Sequence, residues 1–531
     1  MKKTLPILLI LIVSIILIVI SQYKFVYGVN ENNFLNNPVN ENTEQIEANR
    51  INPGTVYFIR AVDTETSSGI NPAIKNQEII SLLSGYNKTD PNSILSRVMS
   101  ARFRNNLTDS FNNTMKYTWF VLTMEPYCVG NDSDCTIIYS ALIDGIPNMG
   151  DYSGWKNEIN MYKDDIEFHY HHIAWSDLNG DNISFWNQLT EFNNSNQYMI
   201  EKMLNHLLID KNFFPSSYKG GWGWEDNGLS NFLEKYFPFD FTSVAPLHGE
   251  GCDYDPNNPK LVEGCEPFYN LFNWSMAPTD YYFYHPNISD YQARGNMSRM
   301  ILKCKNTYSQ REINQIFERA QTSNQLVCMY SHVDGGLIDE TNNVYSRIVN
   351  ASSNYNISFK FVSADEAARI YLSSRDITSP EINMRKENSS LIVESNEQIY
   401  QEKPYVAIKY RNNTYSNLEL IKKNNYKWTY NLSLIRGSGY TIAVAITDPS
   451  GNVAVANRSF SLYGDSNCDR QINGLDVTYL VNYLNGRKQD GRVCPLATMD
   501  ANGDCRINNL DVTYLVNYFK GNGNEPQVDR C

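Results

Sequence analysis

The chain has 531 residues, 42% hydrophobic and 13% aromatic, more than one ordinary core accommodates, so about three or four packed units are expected. Its net charge of -13 and a pI near 5.1 exclude a phosphate-backbone partner, which needs a basic face, and with it nucleic acid. The same balance favours solubility or cation binding.

Lys2 and Lys3 precede the apolar run Leu5 to Ile20, short for a membrane span and suited to a secretory signal. Residues 1–28 are therefore expected to be a signal peptide cleaved after Gly28, and the protein to be secreted, extracellular or attached to the cell surface. An uncleaved anchor giving transient membrane association stays open. Residues 29–50, rich in Asn and Glu without apolar periodicity, read as a linker. From 51 to 376, short apolar runs such as "VYFIRAV", "YTWFVLTM" and "LVCMYSH" alternate with amphipathic segments, which predicts an α/β domain with a largely parallel sheet or barrel. Residues 377–462 change to alternating stretches broken by turn dipeptides, the pattern of an antiparallel β-sandwich similar to immunoglobulin-like or fibronectin-like modules. A spacer role is expected for it. The ten cysteines form local pairs, Cys128 with Cys135, Cys252 with Cys265 and Cys304 with Cys328, with four more beyond residue 460. Disulfides are expected.

The last unit, 463–531, carries a duplication. "DSNCDRQINGLD" from Asp465 and "DANGDCRINNLD" from Asp500 each run into "LDVTYLVNY". In twelve-residue numbering the oxygen side chains are Asp465, Asn467, Asp469, Asn473 and Asp476, then Asp500, Asn502, Asp504, Asn508 and Asp511. With the backbone carbonyls of Gln471 and Arg506 at position 7, each loop offers the oxygen set that calcium requires. Asp rather than Glu at position 12, and the repeat itself, resemble type I dockerins, modules that dock enzymes onto cohesins. The resemblance implies a small α module with two calcium sites, a cohesin domain of a scaffold protein as partner, and near-identical faces usable in two orientations. Cys468 and Cys494 are spaced like Cys505 and Cys531, so two disulfides are expected there; Cys468 with Cys531 stays open as the alternative.

Three of the seven histidines stand in "DDIEFHYHHIAW". On a strand Glu167, His169 and His171 share one face, and His172 points the other way. Two imidazoles on one face suit a metal. The first strand, "VYFIRAVDTET", ends in Asp63 and Glu65 on one face, and barrels bring such strand ends together. In this order the residues resemble the polysaccharide deacetylase family, carbohydrate esterase family four, whose fold is a distorted (β/α) barrel. The resemblance implies Asp63 as general base; Glu65, His169 and His171 as ligands of a divalent metal, chiefly zinc, with His172 as the alternative ligand; and His332, in "VCMYSHVDGG", as general acid. The histidine spacing is H-x-H where the family has H-x-x-x-H. "YKGGWGWEDN" is similar to the family's third motif, with Lys219 where Arg stands there, and Lys219, Trp222 and Trp224 are expected to meet the substrate, the tryptophans by stacking on sugar faces. His206, His248 and His285 are expected to be structural. The expected function is thus a secreted, metal-dependent deacetylase of an acetylated polysaccharide, anchored through a dockerin. A non-catalytic adhesion protein, in which only docking matters, is the competing reading. A glycoside hydrolase using Asp63 and Glu65 fits less well, because neighbours on one strand face stand closer than the separation of about 5 Å or more that such carboxylate pairs need.

Overall fold

A computed structural model describes residues 54–64, 83–123, 135–145, 153–171, 173–176, 185–188, 192–244, 274, 276–306, 308–387, 389–410, 412–435, 440–460, 463–467, 469, 471–487, 496–524 and 526. The expected signal peptide and linker lie outside these, as do Glu65, His172, His248 and six of the ten cysteines. Among the described residues no helix is long and apolar enough to cross a membrane.

The α/β unit is built on a parallel sheet. Its strands are β1 (Val56–Asp63), β2 (Thr118–Thr123), β3 (Asp165–Tyr170), β4 (Ser217–Gly220), β5 (Phe239–Asp240), β6 (Met300–Ile301), β7 (Cys304–Lys305), β8 (Gln325–His332) and β9 (Phe359–Val362). They run in the order β6-β5-β4-β3-β2-β1-β8-β7, with β9 also paired to β1. The first strand splays: Val56 to Ile59 pair with β9, and Ala61 to Asp63 with β2. The short stretch 300–305 hydrogen-bonds to β5 through β6 and to β8 through β7, so one segment joins the two ends of the strand path. Cys304 faces Cys328 in that register and is disulfide-bonded to it, as the sequence spacing predicts. Cys135 and Cys505 each take part in a separate disulfide.

The strands read as near-continuous apolar runs because both faces are covered. One face, including Ile59, Ala61, Phe120, Phe241, Leu326 and Cys328, fills the barrel interior. The other packs on helices α1 (Asn194–Lys211), α2 (Gln310–Arg319) and α3 (Leu337–Tyr355), whereas α4 (Ala364–Leu372) lays Ala364, Ala367 and Ala368 against the interior cluster. Capping boxes start three of them, through Asn193 with Asn196, Ser309 with Glu312, and Ser363 with Glu366, each satisfying otherwise orphaned N–H groups. A charge stands on β1 itself. The Arg60 guanidinium is buried and donates to Met329 O, Ser331 Oγ and Thr341 Oγ1, which ties the end of β8 to α3.

Residues 382–460 form two four-stranded antiparallel sheets. One contains β10 (Ile382–Glu387), β11 (Ser390–Ser395), β14 (Ile421–Asn424) and β15 (Lys427–Asn431); the other β12 (Tyr405–Tyr410), β13 (Tyr415–Asn417), β16 (Tyr440–Thr447) and β17 (Val453–Phe460). Leu391, Val393, Trp428, Val406, Ile408, Ile442 and Val444 fill the space between them. The expected spacer role is corrected here. Tyr405, Ala407, Ala443 and Ala445, on the opposite face of the second sheet, belong to the barrel's own core, where alanines let α1 approach. Tyr405 Oη donates to Glu201 O at 3.0 Å and Asn205 Oδ1 at 2.8 Å, and Asn205 Nδ2 to Asn417 Oδ1 at 2.9 Å. The sandwich is docked on the barrel.

At the C-terminal end, α5 (Gly474–Leu484) and α6 (Asn509–Phe519) pack on each other through Leu480 and Leu515. Each follows one of the duplicated loops and is capped by that loop's own residues, Asn473 with Asp476 and Asn508 with Asp511.

Candidate functional site

The strand ends converge at the C-terminal mouth of the barrel, where active sites of such folds are built. Asp63 closes β1 and lies in register with His332, which closes the neighbouring β8. His169 stands on β3 and Lys219 on β4, in register with each other, and His171 follows the end of β3. Asp63, His169, His171 and Lys219 are all 3% exposed or less, while His332 is half-buried.

Polar contacts define the pocket's chemistry. Lys219 Nζ lies 2.6 Å from Asp63 Oδ2, and His169 Nε2 stands 3.9 Å from the same oxygen. Asp63 Oδ1 is buried with no hydrogen-bond partner among the described residues. Such an oxygen is costly unless water or a ligand completes it. His169 Nδ1 lies 2.7 Å from the Lys219 carbonyl oxygen, which can only accept, so Nδ1 carries the proton and Nε2 is the basic nitrogen turned toward Asp63. Metal-binding histidines have this arrangement. The His171 ring meets that of His169 edge-on, centroids 4.8 Å apart. Gly221 makes room for it: a Cβ there would lie 2.3 Å from the His171 ring. This donor set, two imidazoles beside a carboxylate with one tautomer fixed by a backbone acceptor, fits a borderline-soft divalent ion such as zinc.

Two expected substrate contacts need correction. Trp224 is 2% exposed and packs in the main core, so it offers no face to a sugar. Lys219 points inward and serves Asp63, which accounts for Lys where the resemblance has Arg: either cation can meet the carboxylate, but Lys does so at a single point. Trp222 stands in the 3-10 turn Gly221–Gly223; its side chain, with Glu65 and His172, is outside the described part. His206 is placed away from the mouth, 2.9 Å from Asp210 and stacked against Tyr415 of the sandwich, and His285 Nδ1 lies 2.9 Å from Met297 O.

The structure adds residues, and a setting for Glu167, that sequence reading did not give. Thr64 is buried, donates to Phe120 O and accepts from Leu122 N, both at 3.0 Å, pinning the end of β1 to β2. Tyr330, two positions before His332 and so on the same strand face, brings its ring within 3.8 Å of Lys219 Nζ. Deeper in the barrel, Asp165, Glu167 and Asp365 bring carboxylate oxygens within 4.8 Å of one another. Glu167 accepts from Ser216 N, Ser216 Oγ and Ser217 N. Burial, then neighbouring carboxylates, push the Glu167 and Asp165 carboxyls well up, and burial raises Asp365.

In the C-terminal loops, Asp465, Asp469 and Asp476 bring oxygens within 4.8 Å of one another. Asp476 and Asp511 are fully buried and accept from the loop backbone at Asn467 and Asn473, and at Asn502 and Asn508. Burial raises both carboxyls, Asp476 to about 6, and nearby Asp465 and Asp469, or Asp500 and Asp504, add to the effect. A divalent cation would relieve this crowding. Asn467 and Asn502 turn their side-chain oxygens to the loop, accepting from Asp469 N and Asp504 N. Cys505 takes a left-handed φ of 66° at position 6 of its loop, where calcium loops turn sharply.

Residues 463–520 match the Dockerin type I domain family. No curated protein matches the chain in sequence. Among solved structures, the chain is similar to a Puue allantoinase, with 9% identity, 61% of this chain and 93% of that one covered, and a TM-score of 0.33. It is also similar to a putative polysaccharide deacetylase from Mycobacterium smegmatis, with 10% identity, coverage of 62% and 96%, and a TM-score of 0.32. A third, the PKD1 domain of Vibrio anguillarum Epp, has 16% identity and a TM-score of 0.10, covering 16% of this chain and 93% of that one.

Proposed function

We propose that the chain is a secreted, metal-dependent deacetylase of an acetylated polysaccharide, held by its calcium-binding dockerin on the cohesin of a scaffold. The observation that carries this is the meeting of Asp63, His169, His171 and Lys219 at one barrel mouth, with a carboxylate oxygen of Asp63 left for a further partner. His169 and His171 would hold the metal, with Glu65 as the third protein ligand. A bound zinc ion supplies Lewis acidity toward an acetyl carbonyl and a more acidic water. Asp63 takes the proton of the attacking water on Oδ1, because Oδ2 is held by Lys219. His332 gives a proton to the departing amine or alcohol. The sandwich is read as an immunoglobulin-like or fibronectin-like module.

The docking half rests on the duplicated helices. Leu475 and Leu510, at matching positions, are 62% and 60% exposed, and paired apolar residues on equivalent faces suit a partner surface. Acetate release from acetylated xylan and acetylated chitooligosaccharides by the zinc-loaded full chain tests the catalytic half. The wild-type protein should release acetate from at least one, and Asp63→Asn should abolish release while zinc stays bound. A zinc-loaded wild type inert on both would sink the proposal.

A further inference from the structure

Lys219 serves the site twice. Its carbonyl oxygen fixes the His169 tautomer, and its ammonium holds Asp63 Oδ2. The ammonium sits on a flexible four-carbon stem and, unlike a planar guanidinium, meets the carboxylate at one point only. A single point contact does not fix the orientation of either side chain. The third contact comes from across the mouth. Tyr330 is on β8, separated from β4 by β1, β2 and β3 in the strand path, and its ring face lies 3.8 Å from Lys219 Nζ. The ammonium is therefore held between a carboxylate oxygen and an aromatic face, in a place where Lys219 is 3% exposed. A desolvated cation over an aromatic face is held more strongly than an exposed one. The same ring meets His332 edge-on, centroids 5.8 Å apart, so Tyr330 stands between the cation and the residue at the other side of the mouth.

We propose that Tyr330 is a positioning residue: its ring face clamps the Lys219 ammonium on Asp63 Oδ2, so that Asp63 presents Oδ1 and no other atom to the reacting water. The clamp takes the place of the second hydrogen bond that an arginine would have supplied. The catalytic consequence rests on the deacetylase reading; the clamp itself does not. Tyr330 touches neither substrate nor metal in this account and acts through Lys219.

Two measurements on the full chain separate those layers. In the first, Lys219 is labelled with acetic anhydride at neutral pH and its modification rate read by peptide mass spectrometry. Wild type and Tyr330→Phe should protect Lys219 alike, whereas Tyr330→Leu should raise its labelling about thirtyfold, the size of a desolvated cation–π contact. Equal protection in the Leu variant would overturn the clamp. In the second, acetate release should show kcat lowered about tenfold in Tyr330→Leu with KM unchanged, and near wild-type values restored by Tyr330→Phe, as expected for a group that acts on the transition state. A KM effect alone, or a Phe variant as poor as Leu, would overturn the positioning role. Should Tyr330→Leu fail to fold by circular dichroism, Tyr330→Met gives a ringless side chain of greater length for both measurements. A wild type that releases no acetate defeats the deacetylase reading while the labelling result still decides the clamp.

Discussion

Gly221 is the residue whose side chain, or lack of one, says most about the site. Any Cβ there would intrude on the His171 ring to 2.3 Å. Gly221→Ala should therefore displace the imidazole and weaken zinc binding about 10- to 100-fold, the range seen when a metal ligand loses its support; competition titration against a chromogenic chelator checks it, and unchanged affinity would remove His171 from the ligand set. At this scale the sequence was partly legible. Asp63 and the imidazoles could be found because strand alternation places them on one face and a barrel gathers strand ends. Trp224 could not, because a tryptophan in a glycine-rich turn looks the same whether it covers the core or a ligand. The direction of Lys219 was not legible for a related reason: charge says nothing about direction, and it is the register of β4 with β3, Lys219 beside His169, that turns it to the site.

The strand bearing the histidines is anchored at its other end by a buried ion pair. Arg104 donates to both oxygens of Asp164, at 3.2 and 2.5 Å, and Asp164 also accepts from Tyr117 N and Trp119 Nε1, each at 2.9 Å. Both charged side chains are fully buried. Removing one partner leaves the other uncompensated, so Arg104→Ala should cost about 3–5 kcal/mol in denaturant unfolding; a loss under about 1 kcal/mol would place the pair among weak surface contacts. A second element-scale test concerns Asp365, at the start of α4. Burial raises its folded-state pKa. The folded chain thus keeps a proton that the unfolded chain gives up near pH 4. The stabilisation is complete below that pH and is lost as pH rises through the folded value. Thermal unfolding midpoints should fall across that window in the wild type and fall less in Asp365→Asn. Parallel pH profiles would mean that the carboxylate is solvated.

At the scale of the whole molecule, the sandwich behaves as part of the same body as the barrel. Besides the Tyr405 contacts, Lys409 Nζ and Tyr415 Oη reach Asp210 at 2.6 and 2.7 Å. Burial alone would raise Asp210, yet its bonds from His206, Lys409 and Tyr415 hold it down to about 2. Gly451 lies so close to Phe239 of β5 that a Cβ would stand 2.4 Å from the ring. Residues 53–462 should therefore unfold in one calorimetric transition, and Tyr405→Phe should lower the stability of that transition by about 1–2 kcal/mol, the cost of leaving its buried acceptors unmet. Two separated transitions would restore the spacer. The docking does not follow from reading residues 377–462 as alternating: "YVAIKY" and "YTIAVAIT" are apolar on both faces, whereas a sheet facing water on one side alternates with polar residues. The sandwich's partner was not legible, since alanine at those positions says only that something approaches closely.

The proposed catalysis requires one cation shared by the ends of β1 and β3. The most direct test is an X-ray anomalous difference map at the zinc edge from crystals of the zinc-loaded full chain. It should show one peak at the barrel mouth within bonding distance of His169 Nε2 and His171, with Asp63 beside it. A peak elsewhere, or no peak at the mouth in crystals saturated with zinc, would contradict the account.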